Sequence, residues 1–125
     1  MRKLLCQVCA GPADRNADGI LWVLKDHHTD WPDWPNRMGV TEPPICAACL
    51  DVSVRACPAL RKGHAVIRAR TAPTSGVHGT LYGPSPIGPQ PVRPILTGFD
   101  GRKLRWVIAS HLVRELQDAV ILNQF

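Results

Sequence analysis

The chain has 125 residues, 45% of them hydrophobic and 20% charged, with a formal net charge of +5; this excludes a disordered or fibrous chain and allows one domain with a modest core. No apolar run approaches the roughly 20 residues a membrane span needs, and Met1-Arg2-Lys3-Leu4-Leu5-Cys6 leads into no apolar stretch of about 7–15 residues, so no secretory signal is expected. A chain that is not exported is expected to be cytoplasmic, and its five cysteines then point to metal rather than to disulfides.

In chain order, Cys6-Gln7-Val8-Cys9-Ala10-Gly11 has the C-x-x-C-x-G form of a zinc knuckle, with glycine expected to turn the backbone through positive φ. Asn16-Ala17-Asp18-Gly19 supplies turn residues, and Ile20 to Leu24 predicts a short apolar strand that makes a hairpin beside the knuckle. Asp26 to Pro44 is a polar, proline-rich loop. It contains Asp26-His27-His28 and a doubled Asp-Trp-Pro that carries Trp31 and Trp34. Those indoles are expected either to shield the metal or to anchor a protein partner.

A second pair, Cys46-Ala47-Ala48-Cys49, opens a stretch that is helix-compatible to about Ala56, before Pro58. Ala47, Leu50, Val54 and Cys57 fall on one helical stripe, which assigns Cys57 to packing rather than to the metal. The four cysteines Cys6, Cys9, Cys46 and Cys49 supply four thiolates. That number closes a tetrahedral Zn²⁺ site and leaves no position for substrate or activated water.

After Gly63, residues 64–70 alternate Ala65, Ile67 and Ala69 against Val66, Arg68 and Arg70, the period of a half-buried strand. Val77 to Tyr82 is its expected hairpin partner, and the five prolines of residues 83–94 predict a loop. Residues 102–120 predict a C-terminal amphipathic helix capped by Asp100, with His111 on its polar face. Its apolar residues cover more than half of the circumference, enough to pack on the hairpin and also to form a homodimer. The whole is expected to be α+β: a zinc-binding region over residues 1–63, then hairpin, proline-rich loop and helix over 64–125, packed as a single domain.

Charge is unevenly placed. Residues 1–50 hold five Lys/Arg against six Asp/Glu; residues 51–125 hold ten against four. A polyanion or an acidic protein surface is therefore expected to meet the second half, with Arg61, Lys62, Arg68 and Arg70 contacting phosphates.

Knuckle, hairpin, loop and a helix opening on the second cysteine pair resemble a treble-clef zinc finger over residues 6–57. The C-Q-V-C-x-G-P-A-D opening and the P-P-I-C-x-x-C segment resemble small zinc-finger proteins of high-GC actinobacterial type. The layout is also similar to HNH nucleases, which place an Asp-His dipeptide between two such pairs; that resemblance implies water activation by His27, with Asp26 beside it. It departs from their pattern at Leu50, where a His or Asn ligand is expected, and offers only Asn36 for the mid-motif asparagine. A zinc-stabilised binding module without catalytic residues is the function expected.

Overall fold

A computed structural model describes residues 1–124. Its strands are β1 (Arg15–Asn16), β2 (Gly19–Lys25), β3 (Gly39–Val40), β4 (His64–Thr71), β5 (Thr74–Gly83), β6 (Gln90–Gly98), β7 (Val107–Glu115) and β8 (Gln117–Gln124); its helices are α1 (Ala47–Ala56) and α2 (Pro58–Arg61). They form two antiparallel four-stranded sheets, ordered β1-β2-β4-β8 and β3-β7-β5-β6. Among the described residues no helix is long and apolar enough to cross a membrane.

Both faces of the first sheet are covered, which explains why β2 reads Ile-Leu-Trp-Val-Leu without alternation. Ile20, Trp22 and Leu24 join Ala65, Ile67, Ala69, Leu116 and Ala119 on one face. Leu21, Val23 and Val66 face the other way, against Cys6, Ile45 and the half-buried Leu50, Val54 and Leu60 of the two helices. In β4, Ala65, Ile67 and Ala69 are fully buried as the alternation predicts, but Val66 is buried too and Arg68 is largely covered, so the strand is not half-buried as expected.

β4 and β5 do not form the expected hairpin with each other. Ala72-Pro73 bends the chain without reversing it, and Leu116 bends β7 into β8 at the same level, where Thr71 pairs with Gln117 and Thr74 with Arg114. One long two-stranded ribbon therefore passes through both sheets. Arg114 clamps this corner, donating to the carbonyls of Ala72, Met1 (3.1 Å) and Arg2 (3.0 Å); burial lowers its pKa, though an arginine remains charged.

The expected C-terminal helix is replaced by a 3₁₀ turn, Leu104–Trp106, followed by β7 and β8. Apolar residues spread over most of a helical circumference would serve two opposite strand faces as well. Ile108, Val113, Val120 and Ile121 are β-branched and favour the pleat. The homodimer expected through that helix loses its element. Residues 90–94, the end of the loop expected over 83–94, instead open strand β6, because β6 bonds only to β5 and its outer edge tolerates Pro91 and Pro94.

The treble-clef plus helix architecture is thus overturned. A knuckle-like turn, the short β1–β2 hairpin and α1 exist locally, but β2 is an inner strand bonded to β4 from Ile20 to Lys25. Gly19 supplies the tight turn at φ 117°, where a Cβ would stand 2.2 Å from the Ala69 carbonyl oxygen.

β6 and β7 flank β5 and run parallel, with Gly98 opposite Gly76 and Val107 opposite Leu81. Residues 99–106 must cross one face of β5 to connect them, and the 3₁₀ turn packs on that strand.

Candidate metal centre

Backbone bonds in the first turn set the positions of Cys6 and Cys9. The Cys6 N–H donates to the Gly11 carbonyl (2.8 Å) and the Ala10 N–H to the Cys6 carbonyl (3.0 Å). Ala10, not Gly11, takes the left-handed conformation, with φ 61°. The glycine is needed for closeness instead: its N–H donates to Cys9 Sγ (3.4 Å), and a Cβ there would stand 3.3 Å from that sulfur.

The second pair is brought in by the extended segment before it. Gln7 N–H donates to the Pro44 carbonyl (2.9 Å), Asp14 N–H to that of Ile45 (3.1 Å), and Ile45 N–H to that of Leu21 (2.9 Å). Ile45, fully buried, locks this strip between the knuckle and β2. Cys46 then caps α1, its Sγ accepting from the Cys49 N–H at 3.5 Å.

All four sulfurs lie within 4.8 Å of one another. Sulfurs at the corners of a tetrahedron about 2.3 Å from a central Zn²⁺ stand about 3.8 Å apart; Cys9 and Cys46 are at 3.9 Å. The set fits one metal ion. Cys57 lies outside it, half-exposed, capping the end of α1 through its N–H to the Ser53 carbonyl (2.9 Å).

Burial works against the Cys6 thiolate, but the N–H groups of Cys9, Cys46 and Val8 outweigh it and bring its pKa down to about 6. Cys49 is pushed up to about 12, first by its contact with the Cys46 sulfur, then by burial and by the Cys9 and Cys6 sulfurs. Four sulfurs this close cannot all ionise without a cation among them; metal and protons compete for the same lone pairs.

Asp26, His27 and His28 leave β2 for the following loop. His28 Nδ1 lies 2.8 Å from Asp26 Oδ1, and His27 Nδ1 lies 3.6 Å from Asp30 Oδ2 with its ring edge-on to Trp34. The four cysteines are the one group of three or more metal-ligating side chains among the described residues, so Asp26 and His27 are not part of such a group. Asn36 instead serves the fold: its side chain accepts from the Ala119 N–H (2.7 Å) and donates to the Ala119 carbonyl (3.2 Å), standing in for a strand beside β8.

Trp34 packs on the sheet face opposite the cysteines, which overturns the shielding role. Its buried indole N–H has no hydrogen-bond partner among the described residues. Trp31, half-buried, donates to the Asn36 carbonyl (3.3 Å) and lines a cavity of about 290 Å³ with Arg37 and Leu96.

The four basic residues singled out from the sequence do not form one patch. Arg61 and Lys62 are exposed at the end of α2, whereas Arg70 is exposed near the far end of β4. Arg68 is occupied: its guanidinium donates to the Asp14 carboxylate and the Gly19 carbonyl, and its side chain is 12% exposed. Arg68→Ala is therefore expected to cost about 2–3 kcal/mol in chemical denaturation, less than the roughly 3–5 kcal/mol of a fully buried pair because Asp14 is 33% exposed. Unchanged stability would contradict this structural role.

A different basic group emerges on the second sheet. Arg93, Arg102, Lys103 and Arg105 are exposed and make no ion pair among the described residues. Phe99 and Trp106, at 49% and 44% exposure, accompany them. From the sequence, Arg102, Lys103 and Arg105 suggest an anionic partner as cations at the positive end of the expected helix; they lie instead on the segment that joins β6 to β7.

No protein-family model, curated protein or solved structure matches this chain.

Proposed function

We propose that the chain is a non-enzymatic binding module, stapled by one structural zinc ion, that holds nucleic acid through its phosphates. The observation that carries the reading is the set of four sulfurs within 4.8 Å of one another. Four thiolates complete a tetrahedral ion, so the metal would fold the chain rather than activate water. A sulfur-only tetrahedron suits zinc, with iron the competitor that metal analysis separates.

The +5 charge and the exposed cations Arg61, Lys62, Arg70, Arg93, Arg102, Lys103 and Arg105 support a polyanionic partner. Arg68 leaves this group because its charge is already satisfied by Asp14. Contacts of this kind are independent of sequence and sensitive to salt.

Fluorescence anisotropy with labelled oligonucleotides across a salt series tests the proposal. The logarithm of affinity is expected to fall linearly with the logarithm of salt concentration, with a slope of about −0.7 to −0.9 per phosphate contacted. Absent affinity, or affinity indifferent to salt, would remove the nucleic-acid reading. Salt-sensitive binding to acidic polypeptide alone would replace it with an acidic protein partner.

A further inference from the structure

We infer that the crossover 99–106 on the second sheet is a platform for single-stranded nucleic acid. Phe99 and Trp106 would stack on bases, and Arg93, Arg102, Lys103 and Arg105 would hold the phosphates beside them. This rests on the nucleic-acid reading above and adds the strandedness of the ligand and the place where it binds.

Topology makes the patch. Arg93 on β6 and Val107 on β7 both stand opposite Leu81 of the central strand. Trp106, next to Val107, therefore lies about two strand spacings, about 10 Å, from Arg93. The crossover that ends at Trp106 bears Arg102, Lys103 and Arg105, all exposed.

The cations lack internal employment. None of the four has an ion-pair partner among the described residues, and the one acidic residue between Arg93 and Trp106 is Asp100. Three extra positive charges on a short surface segment repel one another, a cost that an anionic ligand reverses.

The aromatics decide what kind of anion. A purely electrostatic patch gains nothing from leaving an indole and a phenyl ring half in water, whereas unpaired bases present π-faces that stack on such rings regardless of sequence. A duplex hides those faces. An acidic peptide would match the charge but has no bases to stack.

The platform is also preorganised. Gly101 N–H donates to the Gly98 carbonyl (3.0 Å), Leu104 N–H to that of Gly101 (3.2 Å), and Trp106 N–H to that of Lys103 (2.9 Å). Successive turns fix the backbone, so less ordering is required on binding.

The test uses the metal-loaded full chain with a labelled oligothymidylate of about twelve nucleotides, a duplex of the same length, and polyglutamate. The single strand is expected to bind at least about tenfold more tightly than the duplex. Trp106→Ala is expected to weaken single-strand binding about tenfold while changing duplex binding less than about twofold, and Trp106→Phe to restore most of the loss. Replacing Arg102, Lys103 and Arg105 together by glutamine should reduce the single-strand salt slope by about 2, and replacing Arg61 and Lys62 should leave the strand preference intact. Circular dichroism on each variant checks the fold, which exposed positions should preserve.

Single-strand binding that Trp106→Ala does not weaken, or a preference for duplex, overturns the platform and leaves the nucleic-acid reading standing. Polyglutamate bound as tightly as the single strand overturns it in favour of an acidic protein. Absence of binding to either oligonucleotide overturns both readings.

Discussion

Cys46→Ser is expected to abolish stoichiometric metal binding and to unfold the region around the knuckle and α1. Serine at this position keeps the helix cap, since it is among the preferred N-cap residues, so the substitution separates the ligand from the cap. What is lost is a sulfur within 4.8 Å of three others. Structural zinc contributes about 10–16 kcal/mol of apparent binding free energy in small fingers, against a net domain stability of about 5–15 kcal/mol. Metal content, circular dichroism and thermal unfolding read the outcome. Cys57→Ser is the comparison: its sulfur lies outside the cluster, and it should retain one ion per chain. If Cys46→Ser keeps its metal and its melting temperature, the four-sulfur assignment is wrong.

The second large effect lies in the core. Trp22 is fully buried on the inner strand β2, and its indole N–H donates to the Glu42 carbonyl at 3.0 Å. Trp22→Ala is expected to cost about 3–5 kcal/mol through the lost packing and cavity, and about 1–3 kcal/mol more from the orphaned carbonyl. That total approaches the whole stability of a domain of this size. Denaturant unfolding with metal saturating measures it; Trp22→Phe should lose only a fraction of the amount. A cost under about 1 kcal/mol for Trp22→Ala would contradict the two-faced burial of the first sheet.

Sequence reasoning succeeded where one local period or spacing settled the structure. The C-x-x-C pairs, α1 opening after Cys46, and the alternation of Ala65, Ile67 and Ala69 are all properties of neighbouring residues. It failed where partners are distant. Arg68 resembled a free strand-face cation because Asp14 is 54 residues away in the chain. Residues 107–120 fit a helical arc as well as two strands, and only pairing with β5 and β4 decides between them. Pro91 and Pro94 argued for a loop because nothing local says that β6 is an edge strand. Val77 to Tyr82 looked like the hairpin partner of residues 64–70, yet the shared partner ribbon β7–β8 holds β4 and β5 on one continuous path.

The same division applies to the site. The cluster of four cysteines that could hold a metal ion was legible because such chemistry demands fixed spacing within each pair, although the contact between the pairs depends on Ile45 and β2. Arg102, Lys103 and Arg105 already stand together in the sequence and suggest an anionic partner, but their place on the second sheet depends on 99–106 joining β6 to β7 across β5.

X-ray absorption at the metal edge of the purified, metal-loaded protein tests the central claim most directly. One zinc per chain surrounded by four sulfurs at about 2.3 Å, with no lighter atom in the shell, is the result expected. A shell containing nitrogen or oxygen, or fewer than four sulfurs, would mean an open or differently composed site and would contradict the structural role assigned to Cys6, Cys9, Cys46 and Cys49.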